Sequence, residues 1–216
     1  MTKVKICGIT TAEALAAAAS ADFVGFVFYA KSPRALTASA ATPLALAAAS
    51  RLKKVGLFVD PDNMQLEQIL SSVKLDMIQL HGNENPDRVR DIAARTKLPV
   101  MKAVRVAMAA DVQKARSYES VAQWLLFDAK VEGQQGGTGR AFDWSLLKGF
   151  RSPLPWMLSG GLNAANVEAA LSVLAPNAVD VSSGVETAPG KKDPSLIREF
   201  IEIVKGRQDS ISSGAR

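Results

Sequence analysis

The sequence predicts an α/β domain in which eight parallel strands close on themselves, each followed by a crossover helix. Three observations predict it. Short apolar runs alternate with alanine-rich or amphipathic segments along the whole of the 216 residues. The runs end at Cys7, Phe28, Asp60, His81, Arg105, Asp128, Ser159 and Ser183, a spacing that leaves room for one crossover helix each time. Polar or small residues close most of these runs, as expected where strand ends face a ligand. An open doubly wound sheet is the competing architecture. It normally has fewer strands and gives no reason for polar residues to end so many of them.

Taken in order, the first strand is Val4-Lys5-Ile6-Cys7, with Lys5 and Cys7 on one face and Val4 and Ile6 on the other. Gly8 lets the chain bend beside the thiol, and Thr11 caps an alanine-rich helix reaching Ser20. The second strand is Asp22–Phe28, followed by a polar loop holding Lys31-Ser32-Pro33-Arg34. A helix is predicted within Thr42–Leu52, with Pro43 in its first turn. Lys54–Val59 is the third strand. Met64, Ile69, Leu70 and Val73 mark the buried stripe of the next helix. Met77–Leu80 is the fourth, and Asn85-Pro86 opens a helix to about Arg95. Val100–Val104 is the fifth, with a weak helix over Asp111–Tyr118; Trp124–Phe127 is the sixth and ends at Asp128. A glycine-rich loop, Lys130–Ala141, leads to a short helix near Trp144–Lys148. Pro155–Leu158 is the seventh strand, with Asn163 capping a helix whose Val167, Ala170, Leu171 and Leu174 share one face. Ala178–Val181 is the eighth. A last helix from Asp193-Pro194 buries Leu196, Ile197, Phe200, Ile201 and Val204. The prediction is a single (βα)8 TIM barrel over residues 1–206, with the polar residues 207–216 as a frayed tail.

Composition narrows the function. Hydrophobic residues make up 48% and charged residues 22%, ordinary values for a soluble globular chain. One cysteine excludes an intrachain disulfide framework, and no His, Asp or Glu cluster has metal-ligand spacing, so no metal is expected. No signal peptide or membrane-spanning run is visible, and a reducing, cytoplasmic location is the simplest expectation. The net charge of +5 suggests an anionic partner. The basic residues are scattered and not interleaved with aromatics, which favours a small phosphorylated ligand over nucleic acid.

In a barrel of this kind the chemistry lies at the carboxyl ends of the strands. Ser159-Gly160-Gly161 and Ser182-Ser183-Gly184 end the seventh and eighth strands. Glycine loops there can turn backbone N–H groups onto an oxyanion, so Gly160, Gly161, Ser183 and Gly184 are the candidate phosphate site. Cys7 sits at the mouth with Lys5 on its face, and a nearby cation favours the thiolate, a potential nucleophile or general base. Asp128 directly follows an apolar run, and a carboxylate beside a low-dielectric core suits a general acid. A cysteine base and an aspartic acid across one mouth fit proton shuttling on a sugar phosphate. Arg34 can clamp a carboxylate through two parallel hydrogen bonds. Lys5 and Asp180 are expected to form a structural pair inside the barrel, since the first and eighth strands are neighbours in a closed sheet. His81, the only histidine, is given no proton-transfer role.

Several motifs together resemble the phosphoribosylanthranilate isomerase family of tryptophan biosynthesis. They are Lys5-Ile6-Cys7-Gly8-Ile9-Thr10, Lys31-Ser32-Pro33-Arg34, Gly56-Leu57-Phe58-Val59, Gln79-Leu80-His81-Gly82 and Phe127-Asp128. To these add Gly136-Gly137-Thr138-Gly139 with Phe142-Asp143-Trp144, then Ser159-Gly160-Gly161-Leu162, and Val179 through Glu186. The resemblance implies a cofactor-free Amadori rearrangement of N-(5-phosphoribosyl)anthranilate to 1-(2-carboxyphenylamino)-1-deoxyribulose 5-phosphate. It implies that Cys7 is the base removing the C2 proton, and that Asp128 is the acid protonating the ribose ring oxygen. By the same resemblance Arg34 holds the anthranilate carboxylate, the glycine loops hold the phosphate, and the loop Gly136-Gly137-Thr138-Gly139 closes over the substrate. Relatives of this kind are monomers or homodimers. Other sugar-phosphate barrels, such as indoleglycerol phosphate synthase or a ribulose phosphate epimerase, fit less well: the lysine acid with paired glutamates, or the metal-binding histidines, are missing. A non-catalytic barrel that only binds a phosphorylated ligand is the alternative from another class.

Overall fold

The computed structural model describes residues 1–129 and 143–213, with side chains described as far as residue 206. Eight strands form a closed barrel in chain order. They are β1 (Lys3–Cys7), β2 (Phe23–Val27), β3 (Lys53–Phe58), β4 (Met77–Leu80), β5 (Val100–Val106), β6 (Trp124–Ala129), β7 (Trp156–Leu158) and β8 (Ala178–Val181). Each pairs with the next in parallel, and β8 returns to pair with β1.

The two-residue period of the strands divides their side chains between two cores. Phe23, Val55, Met77, Met101, Ala103, Leu126, Met157 and Ala178 cluster inside the barrel. The alternate residues, such as Ile6, Phe26, Ile78, Val100, Phe127 and Val181, join the helices in a larger outer core. Each large side chain buried this way contributes about 1.5–3 kcal/mol relative to exposure. This two-sided burial explains why the strands read as continuous apolar runs.

The helices follow their caps. Thr11 Oγ accepts from the Ala14 N–H at 3.2 Å and starts α1 (Ala12–Ala17). Thr37 does the same for Ala40 and starts α2 (Ala38–Ala47). The pattern places Pro43 in a first turn; the structure puts it in the helix interior, because the cap at Thr37 begins the helix earlier. Thr42 Oγ donates to the Ala38 carbonyl at 2.8 Å beside it. Asp62 caps α3 (Asn63–Leu70), which buries Leu66 and Ile69. Met64, predicted for that stripe, is 78% exposed, since it lies on the opposite side of the helix from Leu66. Asn85 caps α4 (Pro86–Thr96), with Pro86 at the first position and Val89 and Ile92 buried, as the pattern requires. The weak fifth helix is α5 (Ala109–Lys114) followed by a 3₁₀ turn over Ala115–Tyr118. A second 3₁₀ turn covers Trp144–Leu147.

After β7 the helix α6 (Val167–Val173) begins beyond Asn166 rather than at Asn163. Asn163 instead closes a preceding turn, accepting from the Ala165 N–H at 2.9 Å, while Asn166 Oδ1 accepts from the Asn163 N–H. After β8 comes a 3₁₀ turn, Ser183–Val185, and then a small antiparallel hairpin, β9 (Glu186–Ala188) and β10 (Lys191–Lys192), which the apolar pattern does not reveal. The last helix, α7 (Pro194–Ser213), packs on α1 and α6 and buries Ile197, Phe200, Ile201 and Val204. The loop Gly136-Gly137-Thr138-Gly139 lies outside the described residues.

Candidate active site

The parallel register sets Lys5 opposite Asp180. Their Nζ and Oδ1 are 2.8 Å apart, with the lysine fully buried. The other Asp180 oxygen accepts from Ser159 Oγ at 3.1 Å. Burial disfavours the Lys5 ammonium, but Asp180 and then Cys7 outweigh it and hold the group above its ordinary value.

Cys7 lies one step further along the same face, opposite Gly25. A Cβ at Gly25 would stand 2.8 Å from the Cys7 sulfur and 3.3 Å from Lys5 Nζ, so only glycine lets the thiol and the ammonium lie side by side. The sequence predicts a thiol made more acidic by its neighbouring cation. The structure corrects this: burial raises the thiol above its ordinary value, and Lys5 lowers it only in part. Lys5 is committed to Asp180, so the pair adds little net charge.

Asp128, one residue before the end of β6, lines the same cleft and is 3% exposed. Its Oδ1 accepts from the Ala129 N–H at 2.9 Å, and its Oδ2 lies 3.0 Å from Nε2 of His81. His81 Nδ1 is in turn 3.0 Å from the Gln79 amide nitrogen. Among the described residues Gln79 Oε1 is buried without a partner. With the amide assigned this way, Gln79 donates to Nδ1 and the imidazole carries its proton on Nε2, facing the carboxylate. His81 is therefore buried and bonded to the proposed acid, a relation that sequence reasoning missed. The available signal was its position at the end of β4, on the strand-end ring that holds Cys7 and Asp128.

Arg34 is buried, not a surface residue. Its stem packs over Gly8, where a Cβ would be 2.5 Å from Arg34 Cδ. The predicted two-bond clamp exists, but its carboxylate is Glu186 of the same chain: Nε and Nη2 each donate at 2.7 Å.

Gly160 and Gly161 after β7 have φ of 87° and 67°, where side-chain-bearing residues are strained. A Cβ on Gly160 would lie 2.6 Å from the Ala129 nitrogen. One on Gly184 would run into the carbonyl of Leu162, so the two glycine loops are packed on each other. Cys7, Arg34, Asp128, Gly160, Gly161, Asp180 and Ser183 all line one cleft. Among the described residues no cluster of His, Cys, Asp or Glu has the arrangement to hold a metal ion, and no helix is long and apolar enough to cross a membrane.

The family model described as N-(5'-phosphoribosyl)anthranilate (PRA) isomerase matches residues 4–203. N-(5'-phosphoribosyl)anthranilate isomerase from Rhodospirillum centenum is 51% identical over 205 residues, covering 92% of this chain and 96% of that protein. The Azorhizobium caulinodans protein of the same name is 52% identical over 211 residues, covering 95% and 92%. The crystal structure of phosphoribosyl anthranilate isomerase from Thermotoga maritima superposes with a TM-score of 0.86 at 41% identity, covering 95% of this chain and all of that one. A phosphoribosyl anthranilate isomerase solved in complex with reduced 1-(o-carboxyphenylamino)-1-deoxyribulose 5-phosphate superposes with a TM-score of 0.82 at 40% identity, covering 95% and 100%. With an eight-stranded parallel barrel and this similarity along nearly its whole length, the chain belongs to the N-(5'-phosphoribosyl)anthranilate isomerase family.

Proposed function

We propose that this barrel converts N-(5'-phosphoribosyl)anthranilate to 1-(2-carboxyphenylamino)-1-deoxyribulose 5-phosphate by a cofactor-free rearrangement, with Asp128 as general acid and Cys7 as general base. Asp128 gives a proton to the ribose ring oxygen. The C1–O bond breaks and the anthranilate nitrogen donates its lone pair, leaving an open-chain iminium. The Cys7 thiolate removes the C2 proton, and the electrons move to the iminium to give an enolamine. Tautomerisation yields the ketose. Lys5, beside the sulfur, offsets part of the burial that disfavours the thiolate. The phosphate is placed against the loops of Gly160, Gly161, Ser183 and Gly184, and the anthranilate carboxylate against Arg34.

The observation that carries this reading is that Cys7 and Asp128 line one cleft together with Arg34, Gly160, Gly161 and Ser183. Anthranilate fluorescence of freshly made substrate tests it. Turnover that scales with protein concentration and yields the ketose phosphate is expected. Saturable binding without turnover would replace the isomerase with a binding barrel. Gly184→Ala pushes a methyl group against the Leu162 carbonyl and displaces the phosphate loop. Loss of one or two bonds to a charged phosphate predicts a KM about ten- to a hundredfold higher, with a smaller change in kcat. We place the enzyme in the cytoplasm, where reducing conditions keep its one thiol available, as a monomer or homodimer.

A further inference from the structure

We propose that Glu186 and Lys192, on the hairpin after β8, are positioning residues that tie the carboxylate-binding arginine and the base into one bonded chain. The proposal rests on the roles given above to Arg34 and Cys7. Glu186 takes Nε and Nη2 of Arg34 at 2.7 Å each. Lys192 Nζ lies 2.6 Å from the same carboxylate, 3.0 Å from the Ser182 carbonyl and 3.3 Å from Ser182 Oγ. Ser182 Oγ donates to the Cys7 carbonyl at 3.1 Å. The hairpin is also locked onto the arginine's own loop: Gly190 has φ of 81°, and a Cβ there would stand 2.5 Å from the Pro33 carbonyl. Its N–H donates to Glu186 at 3.2 Å.

The charge balance argues for more than a structural clasp. Lys5 and Asp180 cancel. Arg34, Lys192 and Glu186 do not: two buried cations share one carboxylate, leaving a net positive charge beside the cleft. Two negative charges are needed there in the proposed reaction, the substrate carboxylate and the thiolate. With Nε and Nη2 each bonded to Glu186, Arg34, which lines the cleft, keeps Nη1 as a further donor group. Burial lowers the Lys192 ammonium, with Glu186 opposing. Burial raises the Glu186 carboxyl, but Arg34 and Lys192 outweigh it and hold it below its ordinary value. The charged groups facing Cys7 are Lys5 on its own strand, Asp180 on β8 and Lys192 on the hairpin; Asp128 and His81 lie across the cleft.

Cys7 is the only cysteine, so the rate of iodoacetamide alkylation against pH reports this thiol without any turnover assay. For Lys192→Met the midpoint of that profile is expected to move up by about one pH unit, the scale of one partly screened charge at close range, with Lys192→Arg restoring it. For Glu186→Gln, KM is expected to rise about tenfold or more with kcat changed less, as for a loosened binding group, and Glu186→Asp falls between. Lys192→Gln replaces the methionine variant if that fails to fold. A profile for the uncharged Lys192 variants that overlays the wild type, or a KM for Glu186→Gln unchanged within about twofold, overturns the proposal. So does a lower melting temperature with both readouts unmoved, which would make the hairpin purely structural. Full turnover by Cys7→Ser would instead sink the assignment of the base, and would do so whatever the alkylation profile shows.

Discussion

Cys7→Ser is expected to lower kcat/KM by about 10²–10⁴-fold while leaving the barrel folded, and Asp128→Asn to do the same, the range found for positioned acids and bases. Serine fits the slot between Gly25 and Lys5 that the thiol occupies. Its hydroxyl does not ionise at working pH, so the slot is filled and the base is gone. Asparagine keeps a polar group against His81 and the Ala129 N–H but has no proton to give the ring oxygen. The wild type carries a further signature. Because burial raises the Cys7 thiol, the thiolate fraction is still growing in the alkaline range, and kcat/KM should climb with pH there. Steady-state fluorescence assays over pH, with thermal melts to confirm folding, check all of this. Variants that stay within about tenfold of wild type would mean that other groups move the protons.

Asp180→Ala is expected to cost about 3–5 kcal/mol of stability, since it leaves the Lys5 ammonium buried and unpaired. The sign with pH follows from Lys5, whose ammonium is held above its ordinary value. The stabilisation is therefore complete below the unfolded-state lysine value of about 10.4 and fades only as pH rises through the folded-state value. Urea unfolding at neutral pH sees all of it. The double variant Lys5→Met with Asp180→Leu removes both charges and should recover much of the loss. A single variant within about 1 kcal/mol of wild type would show that another group takes over the ammonium.

The barrel was legible because its strands are buried on both faces and its helices carry local caps. Asn85-Pro86 and Thr11 start their helices where a reader of the sequence would start them. The cap at Thr37 was as legible, but an interior proline drew the boundary away from it. The hairpin was not legible, since its two short strands have no apolar pattern and are held by Glu186 and Lys192. Among the candidate site residues, Cys7 and Asp128 follow from their places near strand ends. The partner of Arg34 does not, because the clamp spans 152 positions of sequence. Nor does the acidity of Cys7: a neighbouring lysine is visible in the chain, whereas full burial and the diversion of that lysine to Asp180 are properties of the closed barrel.

Closure of β8 onto β1 also has a temporal consequence. Lys5 and its partner are separated by 175 positions. At about 5–20 residues per second, the ribosome delivers Asp180 roughly 9–35 s after Lys5. Throughout that interval β1 carries a charge without the partner that buries it and a thiol without its pocket. β1 is thus among the last strands of the barrel to be secured, and the mouth around Cys7 comes into being only once β8 has been made.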